Sequence, residues 1–304
     1  MRFTVALTKF ICIVAFSAVL LLGCSLGDRS TGFAWKIKKE TGSTVILVPT
    51  LHIVIKSIDP LPKSIETWIR ESDVVAFEFD FEDKSLLEEL AGCRRLASER
   101  GSGEKVSEYW SQVAQRAIDD RGLSGIKPAT TYPALAEQLL AISLHSSATQ
   151  VKLGVDHAAM RVARTLRKRV LSIESPCDQV EAAVTAANVW TTDSIEERFL
   201  QLKANEPFAL IENTSSAWSR GDLLAMRSHI EAFNRRWPFE FSASGRHIHS
   251  RNRSIAKRID EFSTKESNGK IVVFVGMFHF FGVGSLLDEL SRMGYRIEEI
   301  GLRS

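Results

Sequence analysis

The chain has 304 residues, 44% of them apolar and 25% charged, and a formal net charge of +2. That length suits one α/β domain with insertions, and so ordinary a composition excludes collagen-like, coiled-coil and wholly disordered chains. A nearly balanced charge also excludes an electrostatic nucleic-acid partner, which needs a concentrated excess of lysine and arginine.

Residues 1–9 carry Arg2 and Lys9 without an acid, residues 10–22 are almost wholly apolar, and the run closes on Leu21-Leu22-Gly23-Cys24. The apolar stretch is short for a membrane span and has the order of a secretory signal peptide. Its ending resembles a bacterial lipobox, which implies cleavage after Gly23 and a lipidated (palmitate-bearing) Cys24 as the first mature residue. The expected location is the cell envelope, with a membrane anchor at Cys24. Ser25 in place of an aspartate points to the outer membrane, facing the periplasm, if the source is Gram-negative. Residues 24–32 read as a tether and 33–304 as the domain. Losing Arg2 and Lys9 leaves 37 basic residues against 37 acidic ones, so the mature chain is neutral. Cys93 and Cys177 are then the remaining thiols, and their separation leaves pairing open.

Residues 33–39 and 44–47, around Thr41-Gly42-Ser43, read as a hairpin leading into a first parallel strand, where Pro49 ends regular hydrogen bonding. Leu61-Pro62-Lys63 opens a helix, and Ser72-Asp73 turns it into a strand over 74–80. Residues 82–150 show helical runs, such as 85–99 and 132–144, and read as a helical insertion. A helix over 157–166 leads into a strand over 170–173, and a second helical stretch, about 178–262, is broken near Pro207 and Pro238. Asn268-Gly269 turns into a strand over 271–275, and a helix over 283–293, stopped by Gly294, precedes a last strand over 295–300. The predicted fold is α/β: a central, mainly parallel sheet with an N-terminal hairpin and two helical insertions.

Four apolar runs end in a side chain able to hold a metal: His52, Glu78, Glu174 and His279. If the runs are neighbouring parallel strands, their carboxyl ends share one rim, where open α/β sheets place ligand sites. Two imidazoles and one or two carboxylates suit a divalent transition metal with a position open to water or substrate. His52, Glu78 and His279 are the expected ligands. Glu174 is either a fourth ligand or a general base, unless an arginine pairs with it. Asp80 is expected at the surface or in a cap. His247-Ile248-His249 reads as an exposed loop and not a metal pair; His145, His157 and His229 read as surface or boundary residues.

Thr50-Leu51-His52, Pro60-Leu61-Pro62, Ser72-Asp73 with Glu78, Gly154-Val155-Asp156, Ile173-Glu174 with Gln179, Trp218 with Gly221-Asp222, Arg251-Asn252, and Gly276-Met277-Phe278-His279 with Gly282 and Gly294-Tyr295 follow one another in an order that resembles the TraB/GumN family, which includes the Tiki metalloproteases. The resemblance covers about 33–300 and implies a sheet with helical insertions, similar to erythromycin esterase and ChaN-like proteins. It also implies manganese- or cobalt-dependent proteolysis through two Gly-x-x-His motifs and a glutamate. Gly276 to His279 matches the second motif and Glu78 the glutamate, whereas Pro49 stands where the first motif has glycine. The resemblance places Arg251 near the site, at the start of a helix with Asn252, where its charge would neutralise an oxyanion.

The expected function is metal-dependent hydrolysis, peptidase-like, with manganese, cobalt or zinc as cofactor and a peptide or small molecule as substrate. Two alternatives stand beside it. One is a non-catalytic lipoprotein that binds a peptide or small ligand, which Pro49 supports. The other is a small-molecule esterase.

Overall fold

The computed structural model describes residues 33–55, 60–80, 82–99, 105–120, 122–123, 125–132, 135, 138–139, 152–187, 195–197, 199–201, 206–236, 238–266, 269–282 and 284–301. The signal, the tether and His145 lie outside the described residues.

Six strands form the main sheet. They are β1 (Phe33–Lys38), β2 (Thr44–Thr50), β4 (Val74–Phe77), β6 (Arg169–Ser172), β7 (Lys270–Gly276) and β8 (Arg296–Gly301), in the order β6-β4-β7-β2-β1-β8. The hairpin pairs Trp35 with Leu47, and β8 runs antiparallel to β1 along its whole length. β2, β7, β4 and β6 are mutually parallel, with Val45 beside Ile271 and Val74 beside both Ile271 and Arg169. β4 is buried at every position and β7 at all but Lys270, which is why both read as unbroken apolar runs: layers cover the two faces. β8, at the edge, exposes Arg296, Glu298 and Glu299, charges that discourage pairing with another chain.

The connections explain where the site lies. α1 (Lys63–Glu71) carries the chain from β2 to β4, and α4 (Val155–Thr165) delivers it to β6. α5 (Pro176–Ala187), α6 (Glu206–Arg220), α7 (Leu223–Arg236) and α8 (Pro238–Lys265) then lead back to β7, which enters between β4 and β2. Right-handed crossovers put α1 and α4 on one face and α8 and α9 (Leu286–Arg292) on the other. Accordingly α1 packs on α4 and α8 on α9. The chain therefore leaves β2 and β4 toward one face and β7 toward the other, which opens a crevice at the carboxyl end of β7. α9 is started by the Ser285–Asp288 capping box and stopped at Gly294, whose φ of 87° suits glycine.

The first insertion contains α2 (Lys84–Glu99) and α3 (Glu108–Asp119). Its Trp110, Ile118, Tyr132 and Leu135 join Ile195 and Phe199 of the second insertion in a satellite core. Two features had no signal strong enough to predict them. One is the two-residue ladder of β3 (Ile53–Val54) on β5 (Lys152–Leu153); the other is that α8 continues through residues 247–252. His247 and His249 therefore stand in a helix and not in an exposed loop. Arg251 and Asn252 lie in its middle and do not begin it.

Cys93 of α2 and Cys177 of α5 are disulfide-bonded, 84 positions apart. The bond cross-links two helices that already pack together, and its main effect is to limit the unfolded chain. Changing both cysteines to serine is expected to lower unfolding free energy by about 2–4 kcal/mol, measured by denaturant titration, and a reductant should then have no further effect.

Candidate metal centre

Three donors meet around Gly276. The 3₁₀ turn Met277–Phe280 that follows β7 sets His279 into the crevice, with only 3% of the residue exposed. Its Nε2 lies 3.9 Å from Glu78 Oε1, and His52 Nε2 lies 3.9 Å from the same oxygen. Glu78 follows β4, and His52 follows β2. These are the two strands that flank β7, so neighbouring strand ends bring the donors together.

Each imidazole is oriented through its other nitrogen. His52 Nδ1 lies 2.6 Å from Asp156 Oδ2, and His279 Nδ1 lies 2.5 Å from Asn252 Oδ1. Acceptors at Nδ1 select the tautomer that carries its proton there and turns Nε2 toward Glu78. Asn252 is fixed in turn, since its Nδ2 donates to Gly284 O at 2.7 Å. His249 lies 3.3 Å from that amide and points its Nδ1 to the same carbonyl, which gives it a structural place beside the site.

Gly154 explains how Asp156 reaches His52. Its N–H and that of Val155 donate to His52 O and Leu51 O, and a Cβ on Gly154 would lie 1.5 Å from Leu51 O. Only glycine permits that approach. Pro49 does not divert β2, which stays in register with β7 as far as Thr50 beside Gly276. The Pro49 carbonyl accepts from Trp218 Nε1 at 2.9 Å. A strand residue turns its N–H and C=O to the same side, so the donor that proline lacks is missing on the Trp218 side and not from the β7 ladder.

Glu174 is placed differently from a free base or ligand. Arg251 donates through Nε to Glu174 Oε1 at 2.7 Å and through Nη2 to Oε2, while Gln179 Nε2 also donates to Oε2. Both carboxylate oxygens are thus engaged, and the group is buried. Arg251 Nη2 reaches Glu78 Oε2 at 3.0 Å as well. Burial opposes the Arg251 charge, but pairing with Glu174 and Glu78 outweighs it and holds the guanidinium above its ordinary pKa. Asp80 lies outside the group: it is buried, pairs with Arg164 and accepts from Glu82 N at 3.1 Å.

The residues present fit a cation. A Cβ on Gly276 would fall 2.9 Å from Glu78 Oε1, 3.3 Å from His52 Nε2 and 3.8 Å from His279 Cδ2, so the missing side chain leaves open the point on which the donors converge. The backbone at Gly276 has φ −53°, which any residue adopts; room is the reason for glycine here. Donors on a tetrahedral ion with bonds of about 2.1 Å stand about 3.4 Å apart. Each imidazole lies 3.9 Å from Glu78 Oε1 and needs a few tenths of an ångström there, whereas the two imidazole nitrogens, more than 4.8 Å apart, must close by more than an ångström on binding. Among the described residues, the one set of three metal-binding side chains whose donor atoms all lie within 4.8 Å of one another is Glu89 with Cys93 and Cys177, and its sulfurs are bonded to each other.

The TraB/PrgY/gumN family model matches residues 33–299. The chain belongs to that family. No curated protein and no solved structure gives a significant match. Within this TraB-family domain, Asp156 and Asn252 orient the imidazoles, although no spacing rule assigns them a role. Their signal lay in standing beside recognisable pieces, Gly154-Val155 and Arg251. Among the described residues no helix is long and apolar enough to cross a membrane.

Charge at the centre is unbalanced without a cation, since Glu78, Glu174 and Asp156 face one guanidinium. Burial pushes the Glu78 carboxyl up, but His279, His52, Arg251 and the Gly276 N–H (2.6 Å away) hold it down to about 2. Burial also opposes protonation of His52, yet 55% of its side chain is open to solvent. The Asp156 hydrogen bond, with the charges of Glu78 and Asp156, raises it from 6.5 to about 9. A raised imidazole pKa stabilises the fold fully below about 6.5, and that contribution fades as pH rises through about 9; the depressed Glu78 contributes above about 4.5 and loses its effect as pH falls through about 2. In the metal-free protein the His52 ring should titrate near 9 by NMR, and Asp156→Asn should bring the midpoint toward 6.5. An unmoved midpoint would take this role from Asp156.

Proposed function

We propose that this TraB-family protein is a metal-dependent hydrolase of amide bonds, anchored at the cell envelope by a lipid on Cys24. The observation that carries the reading is the convergence of His52, Glu78 and His279 on the space left open at Gly276. Two imidazoles and a carboxylate leave a further position for water and substrate, the pattern of a hydrolytic site. Manganese, cobalt or zinc, when bound, would supply Lewis acidity and an acidified water.

The chain's own residues prepare the reaction. Asp156 and Asn252 hold the imidazoles in the ligating tautomer. Arg251 acts through Glu78: it occupies Oε2 and leaves Oε1 toward the imidazoles, which is a positioning role and not contact with an oxyanion. Glu174 holds Arg251 in place. His52, the most exposed of the three donors, faces the solvent side of the crevice where substrate enters.

Gly276→Ala keeps every donor residue but puts a methyl group into the space between them and against Glu78 Oε1, so it should abolish stoichiometric metal uptake in elemental analysis, as should Glu78→Ala and His279→Ala. Asn252→Ala should weaken metal affinity by about 10–100-fold, as loss of a ligand's orienting partner does. Uptake by Gly276→Ala equal to the parent's would sink the metal assignment. Glu174→Gln removes one of the two carboxylates that Arg251 bridges, leaves Glu78 as its counter-charge, and should destabilise the fold by about 1–3 kcal/mol, seen in denaturant melts. The anchor has its own test: inhibiting lipoprotein signal peptidase should raise the parent's mass by the uncleaved signal and leave Cys24→Ser unchanged; if both forms stay in the membrane fraction and neither changes mass, lipidation is contradicted.

A further inference from the structure

Two clefts meet at the centre and differ in character. Thr50, His52 and Glu78 line both and form the wall between them. One, of about 320 Å³, is closed by Ile53, Leu210, Ile211, Ile248 and Phe278, with Arg251 and His279 beneath. Its far wall is α6, which Trp218 pins to Pro49; Ile211 lies two turns before Trp218 on that helix, so it is held over the centre. The other cleft, of about 330 Å³, contains Asp156, His157 and Gln179.

Two atoms beside the second cleft lack a partner among the described residues: Thr50 Oγ1 and Asp156 Oδ1. Both residues are buried, at 1% and 4% exposure. A buried carboxylate oxygen without a hydrogen bond costs about 1–3 kcal/mol or more, so it is a position where a donor entering the cleft, a water or a group of the substrate that displaces it, gains a hydrogen bond. The second oxygen of Asp156 already serves His52, which fixes the direction in which Oδ1 accepts.

We infer that Thr50 and Asp156 form a subsite that accepts an N–H of the substrate, while the Leu210–Ile211–Ile248–Phe278 cleft takes an apolar side chain next to the bond presented to the centre. This rests on the hydrolase reading and narrows it. The substrate is a peptide segment with an aliphatic or aromatic residue at that bond, and an ester analogue is rejected. A site built to bond an N–H discriminates against a ligand without it, because the site's own acceptor stays unpaired.

The test uses the full chain in detergent and blocked fluorescent hexapeptides that differ only in the central residue, Leu, Phe, Asp or Lys, with a depsipeptide that replaces the N–H beside the central carbonyl by oxygen. Binding is read by anisotropy after chelation, and turnover separately with manganese, cobalt or zinc restored. The Leu and Phe peptides should bind at least tenfold more tightly than the Asp and Lys peptides and the depsipeptide. Thr50→Val should reduce that amide preference about tenfold, the value of one hydrogen bond of about 1.4 kcal/mol, and Thr50→Ser should restore it at an unchanged melting temperature. Equal binding of amide and depsipeptide, or a Thr50→Val variant indistinguishable from the parent, overturns the inference even if turnover is seen. Selective binding without turnover under any metal upholds the subsite and overturns the hydrolase reading.

Discussion

Arg251 is the residue on which the centre depends. It lies in the middle of a 28-residue helix and joins the carboxylates that follow β4 and β6. Removing ions from water costs several kcal/mol each, so such a cluster is kept only where geometry and further hydrogen bonds compensate. Here the fork of Arg251 spans both carboxylates, Gln179 supplies another donor to Glu174, and the Gly276 N–H supplies one to Glu78. Glu78 consequently has a single orientation. Its Oε1 is equidistant from the two imidazoles, and an excess of negative charge stays at the point where Gly276 leaves room. A cation answers that excess, either as an imidazolium or as a metal ion.

Topology delivers the remaining partners. Because β7 enters between β4 and β2, the three strand ends with the donors are adjacent, although they lie far apart along the chain. Each face then contributes one orienting residue: α4 supplies Asp156 to His52, and α8 supplies Asn252 to His279. Close backbone contacts hold this placement. Gly154 presses on Leu51 O, and Trp218 caps the Pro49 carbonyl, so the end of β2 is held from two sides.

The sheet was legible in the sequence because strands covered on both faces leave unbroken apolar runs, and the polar residue that ends each run marks the rim. Strand order was not written in those runs. The neighbourhood of His52, Glu78 and His279 was therefore an assumption that the topology supplies. Glu174 shows the limit of the same reasoning, since a carboxylate at a strand end looks alike whether it meets a metal, a proton or an arginine. Its arginine stands 77 positions away, on a helix. Asp156 and Asn252 escaped for a similar reason: an orienting contact depends on side-chain direction, which local pattern does not encode. His247 and His249 misled because Ser and Gly around them suggest a loop, whereas packing of α8 against α5 and α9 sustains a helix there. The two-residue β3 and β5 ladder is too short to have a period at all.

The central claim is that His52, Glu78 and His279 hold one divalent ion. Its most direct test is an anomalous-difference map from crystals of the protein grown with manganese. The account predicts a single peak over Gly276, within about 2.0–2.3 Å of His52 Nε2, Glu78 Oε1 and His279 Nε2. A saturated crystal with no peak there, or with manganese bound only at surface carboxylates, would contradict it.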